Sequence, residues 1–248
     1  MVTLFRRIRQ KLIDSGSATK FLLYAFGEIL LVVIGILIAL QVNNWNEERV
    51  LKNKLNGYYE QIHQEISASL PQLERYIAAQ QELADLNRRS LQLLNTSDPD
   101  SLQLLESTLG ALGTAWIITH SYPVLYEFLD SELLTTVEDS PLKHSFQELS
   151  WWFERHRNIN EAVNNQYNQT IEPYMIRRFN YQSVALDRYQ DLLVEGGPQI
   201  DYTQFAGDLE LWNMLTLKLE MVGLYLNYQQ SIQEKLIRLL DEIERVTG

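Results

Sequence analysis

Glu28 is the one charged residue between Phe21 and Val42, in the run FLLYAFGEILLVVIGILIALQV. A carboxylate that deep in a membrane helix costs a few kcal/mol, so it must face protein or water rather than lipid. Helical spacing puts Val32, Gly35 and Ala39 close to its face. Gly35-x-x-x-Ala39 is a pair of small residues that lets a second helix come close. Glu28, its neighbour Gly27, Gly35 and Ala39 are therefore the candidate contact of a helix–helix interface. The alternative is a carboxylate that snorkels to the nearer headgroups, about two helical turns away.

Other residues suggest chemistry and then fail to complete it. Glu60-x-x-His63 is half of a di-iron signature, which needs two such units and two further glutamates. The positions three before His120, His144 and His156 are Ile117, Pro141 and Phe153, so no second unit exists. His63 then reads as a surface or bundle histidine, and no metal or other cofactor is expected. His144 and Glu148 are spaced as a helix surface pair. Trp151-Trp152-Phe153 cannot all face one way on a helix, so at least one ring should be exposed or in a contact. The polar run Asn158–Gln169 reads as a solvated helix face rather than a pocket lining. There is no phosphate-binding loop, no G-x-S-x-G and no H-E-x-x-H. Without cysteine there is no disulfide framework and no thiolate chemistry. An enzyme is not expected.

The element that must position Glu28 is a transmembrane helix. Twenty-two residues at about 1.5 Å each cross a hydrocarbon core of about 30 Å. A signal peptide has a shorter apolar core followed by a small-residue cleavage site. Here the run passes directly into Gln41-Val42-Asn43-Asn44-Trp45. Residues 1–20 carry Arg6, Arg7, Arg9, Lys11 and Lys20 against Asp14. By the positive-inside rule this end is cytoplasmic. Leu4, Phe5, Ile8 and Leu12 share one face of that segment, so it reads as an amphipathic helix lying on the inner surface. Tyr24 and Trp45 mark the two membrane interfaces. The expected organisation is a cytoplasmic segment at 1–20, a single span at 21–42 and a periplasmic domain at 43–248, in a bacterial inner membrane.

The net charge is −11, and residues 43–248 carry −14 once the +4 of residues 1–20 and Glu28 are set aside. An acidic body speaks against nucleic acid. Glycine and proline are few, at 11 and 6, as in helical proteins. The pattern predicts an all-α fold, a span followed by an antiparallel bundle of long helices. Helix runs from Asn44 to about Leu94, with Pro71 either kinking it or opening a new one. The loop 95–100 leads to a short helix at 101–109, closed by Gly110 and Gly113. The stretch 115–123 is the most ambiguous and reads as an extended connector. A short helix is expected from Pro123 to about Thr136, and a long one from Ser140-Pro141. The latter should meet Pro173 and continue from Tyr174 to Leu193. The last helix starts near Asp208. Its residues Tyr225, Ile232, Leu236, Leu239, Ile243 and Val246 form a heptad-like seam, as in short coiled coils.

FRRIRQKL (5–12) followed by YAFGEILLVVIGILIALQVNNWNE (24–47) resembles the N-terminal signature of uncharacterised single-pass membrane proteins abundant in Bacteroidota. Phe26 and Val42 replace isoleucines of that signature. The resemblance implies membrane location and a helical extracytoplasmic domain, and it implies no reaction. It also suggests that Gly27, Glu28, Gly35, Gln41, Asn43, Asn44 and Trp45 act as one unit.

The function these features favour is a non-enzymatic scaffold or assembly subunit. Its partners would be the lipid bilayer and a second copy or another membrane protein. One alternative is an ion-coupled subunit using Glu28, because the layout is that of stator subunits in ion-driven motors. Another is a ligand-sensing accessory subunit, which would need a partner for output because only 20 residues are cytoplasmic.

Overall fold

The structure is a computed structural model and describes residues 18–114, 121–138 and 140–248. Arg6, Arg7, Arg9, Lys11, the proposed amphipathic segment and most of the ambiguous stretch 115–123 lie outside the described residues. So does the side chain of Tyr24. No strand occurs among the described residues, so the fold is all-α, as the pattern predicts. The chain divides into two units, Met1–Gly57 and Tyr58–Gly248.

Helix α1 runs Ala18–Leu93 and carries Pro71 without a break. Its residues up to Gly57 belong to the first unit, where the large apolar side chains from Leu22 to Val42 are 44–68 % exposed. This is the one stretch among the described residues that is long and apolar enough to cross a membrane.

The second unit is built from the remainder of α1, α2 (Pro99–Leu109), α3 (Pro123–Asp130), α4 (Leu133–Thr136), α5 (Pro141–Gln166), α6 (Glu172–Arg178), α7 (Tyr181–Val184), α8 (Asp187–Gln190) and α9 (Leu209–Thr247). Side-chain pairs fix how the long helices run. Glu148 on α5 meets Lys235 and Arg238 on α9, and His156 on α5 meets Tyr225 on α9, so these two are antiparallel. His63 on α1 bonds Glu244 near the end of α9, while Leu83 and Ala84 pack with Val222, so α1 also opposes α9. The lysine bond holds the Glu148 carboxyl below the ordinary range, with Arg238 adding to it. Glu148 thus ties two helices together through Lys235 and Arg238.

The short helices are held by capping across the chain. Asp98 accepts from the Ser101 N–H and starts α2, and Ser140 does the same for α5 through the Lys143 N–H. Glu65 of α1 accepts from the Val124 and Leu125 N–H groups at 3.0 Å each. It thereby supplies α3 with the carboxylate cap that Tyr122 does not provide. The expected helix to Thr136 breaks in two at Ser131, whose backbone is extended.

Tyr174–Leu193 is not one helix, contrary to the expectation from its pattern. Pro173 has no N–H and its ring would strike the carbonyl four residues back. The chain absorbs this in a wider turn at Tyr167–Ile171, where the Glu172 N–H bonds the Tyr167 carbonyl. α6 then stops at Phe179, which turns extended and stacks on Phe205 at 4.8 Å. The Asn180 amide bonds the carbonyls of Gly196 and Pro198 and so diverts the chain toward the loop.

Asp208 closes this end. It caps α9 through the Leu211 N–H at 3.0 Å, and its other oxygen accepts from Tyr174 (3.2 Å) and Arg178 (3.1 Å). Asp208→Ala should lose about 2 kcal/mol from the cap and its partners together, and Asp208→Asn clearly less, because asparagine still caps. Urea midpoints of the two variants in mild detergent check this.

Candidate functional site

The first unit contains the span residues singled out above. Glu28, Val32, Gly35 and Ala39 follow one another down one face of α1, while Gly27 lies about 100° around the helix from Glu28. Glu28 is partly buried and shares a shallow dent with Ala25, Ile29, Val32 and Val33. A methyl group placed on Gly27 or Gly35 would touch nothing within 4 Å. Neither glycine is required by a neighbour within the described chain, so both are positions where another helix can approach. Past the apolar run, Asn43 donates to Glu47 at 2.7 Å and Arg49 to Asn46 at 3.1 Å. The Arg49 guanidinium stands 5.9 Å from the Trp45 ring, and Trp45 is exposed. A charged, hydrogen-bonded collar beside an exposed tryptophan suits a headgroup region.

The second unit holds a polar line that the sequence did not reveal. Lys218 is 4 % exposed and donates to the Thr114 carbonyl at 2.8 Å, with the Tyr167 ring 6.0 Å away. Burial lowers its pKa to about 8. A small void beside it is lined by Gln80, Thr114, Gln166 and Tyr225, among others. Farther along α9, Gln229 is fully buried and its side-chain amide hydrogen-bonds with His156 Nε2 at 2.9 Å. The Tyr225 hydroxyl lies 3.2 Å from the same nitrogen. His156 also stacks on Tyr228 at 5.5 Å.

The three consecutive aromatics divide as expected. Trp151 is exposed beneath Arg155, Trp152 packs on Tyr228 at 4.8 Å, and Phe153 meets Tyr126 edge-on at 5.1 Å. Between α3 and α5 the surface forms a groove of about 850 Å³. Its lining draws Asn160, Glu161 and Asn164 from the run read as a solvated face, so part of that run lines a cavity after all. His63 bonds Glu244, and no group of three potential metal-binding side chains occurs among the described residues.

No curated protein and no solved structure matches this chain. Residues 28–123, from Glu28 in the apolar helix to the first residue of α3, match the model of a family described as a family of unknown function, DUF6090.

Proposed function

We propose that the chain is a non-enzymatic, membrane-anchored scaffold or assembly subunit. Residues 21–42 cross the membrane and pair with a second copy, or with another membrane protein, through Glu28, Gly35 and Ala39. The helical body presents its surface to a partner. The observation that carries this reading is the open small-residue face beside an acid in the apolar run: among the described residues nothing lies within 4 Å of a methyl group placed on Gly35, and lipid is a poor neighbour for Glu28. The basic charges of residues 1–20 support a cytoplasmic N-terminus and a periplasmic body in an inner membrane. The likeness of residues 5–49 to the Bacteroidota family supports the same placement.

Native mass spectrometry of the intact particle from mild detergent tests the proposal, with Glu28→Gln, Glu28→Leu and Gly35→Leu alongside. The expected result is a discrete homo-oligomer that dissociates at about tenfold lower dilution in Gly35→Leu, the size of effect one lost helix contact gives. A monomer in all four samples would overturn the pairing. A polytopic membrane protein that co-purifies, with function lost in Glu28→Gln, would favour the ion-coupled reading instead.

A further inference from the structure

We infer that the groove between α3 and α5 is a binding site for a small zwitterionic amine, the chemistry of a free amino acid. The groove lies wholly within the second unit, and its volume of about 850 Å³ falls in the range of small-molecule sites. Tyr126 from α3 and Phe153 from α5 form one wall, with ring centroids 5.1 Å apart, and Leu129 extends it. That wall suits an aliphatic or aromatic side chain.

The charges are arranged to read both ends of such a ligand. Glu154, Arg157 and Glu161 line the groove from α5 at i, i+3 and i+7, so they fall on one side of the helix in the order acid, base, acid. Asp130 faces them from α3. The spacing from Glu154 to Glu161 spans about 10 Å along the axis, and the acids do not converge as ligands of a metal ion. Separated carboxylates suit an ammonium group at either end of the groove. The guanidinium between them offers the planar fork that a carboxylate accepts. A simple cation such as a diamine would leave Arg157 opposed, and a simple carboxylate would meet three acids. A zwitterion satisfies both signs, and the side-chain amides of Asn160 and Asn164 add further donors and acceptors. The inference does not rest on the scaffold reading, which concerns the first unit.

Titration calorimetry on the full-length chain in mild detergent tests this, with each of the twenty standard amino acids as probe and putrescine and acetate as single-charge controls. At least one amino acid should bind saturably and at least tenfold more tightly than either control. Arg157→Gln and Glu154→Gln should each weaken it tenfold or more. Both residues are exposed, so the unfolding midpoint of the ligand-free variants should not move. Absence of saturable binding by every amino acid would overturn the inference. So would putrescine binding as tightly as the best amino acid and surviving Arg157→Gln, which would make the groove a plain cation site.

Discussion

Gly110→Ala should cost about 3 kcal/mol or more and leave the second unit unfolded at temperatures the wild type withstands. A methyl group there would stand 2.1 Å from the Val184 carbonyl oxygen and 3.0 Å from the Leu186 nitrogen. Both are backbone atoms, so no rotamer change can clear the space. Backbone dihedrals are not the cause, because Gly110 has ordinary helical angles. The turn at α7 must retreat, and with it Val184 and Leu186, which pack into two separate apolar clusters. Overpacking of that kind costs about 1–3 kcal/mol even where side chains can yield. Two controls bracket the effect. Gly113→Ala would meet the Met175 methyl and the Tyr181 ring edge at 3.2 Å each, with the Gly110 carbonyl oxygen at an ordinary 3.8 Å, and should cost less because its close neighbours are side chains. Gly223→Ala, inside α9 with nothing within 4 Å, should gain about 0.5–1 kcal/mol from helix propensity. Thermal and urea midpoints of the three variants in one detergent give the comparison directly.

The second large effect is a rise in stability with pH that depends on Lys218. Its folded-state pKa is lowered to about 8 from 10.5. Below pH 8 both folded and unfolded forms carry the proton, and the full cost of burying the cation is present. Between pH 8 and 10.5 the unfolded chain holds more protons, so unfolding becomes harder as pH rises. The slope is about 1.4 kcal/mol per pH step and the whole interval is worth about 3 kcal/mol. Buried tyrosines act in the opposite sense near the top of that interval. Burial pushes Tyr126 and Tyr202 up to about 12; Tyr122 and Glu65 add to it at Tyr126, and Glu106 adds to it at Tyr202 against the opposing Ser183 bond. Their stabilisation is complete below pH 10 and is lost as pH rises above it. The lysine effect is therefore to be read between pH 8 and 9.5 by urea unfolding. Lys218→Met should flatten the curve in that window. A wild-type curve that is already flat there would show that the ammonium is not confined as the geometry indicates.

These two positions show where sequence reading succeeds and where it stops. The seam of α9 was legible because Tyr225, Ile232, Leu236, Leu239 and Ile243 repeat at helical spacing, and all are buried. Val246 continues the spacing but is 54 % exposed, since the seam outruns its neighbours. The starts of α5 and α9 were legible from Ser140-Pro141 and Asp208, whose side chains cap within three residues. Lys218 and Gln229 occupy seam positions of the same helix, and that placement was the available signal for their burial. Polarity argued against it, because a sequence does not show the Thr114 carbonyl or the His156 imidazole that meets each group. The close approach at Gly110 was invisible for a related reason: it depends on a backbone segment more than seventy residues away. The break of Tyr174–Leu193 is set by Asn180, Gly196 and Asp208 through contacts outside the window in which periodicity is read. The groove needed α3, whose first turn is capped by Glu65 of α1, and no local pattern joins those residues.

The wide turn at Tyr167–Ile171 has a consequence for how this chain tolerates length change. An α-helix advances 100° per residue, so one added residue would swing everything downstream by that angle. The wide turn holds one residue more than an ordinary turn and cancels the swing. Tyr174 and Met175 consequently face the same cluster as Leu109 and Phe205. Removing a single residue from 167–171 would restore regular winding and leave that pair facing the same cluster. The segment is therefore the place where the chain can give up one residue without turning α6 away from its cluster.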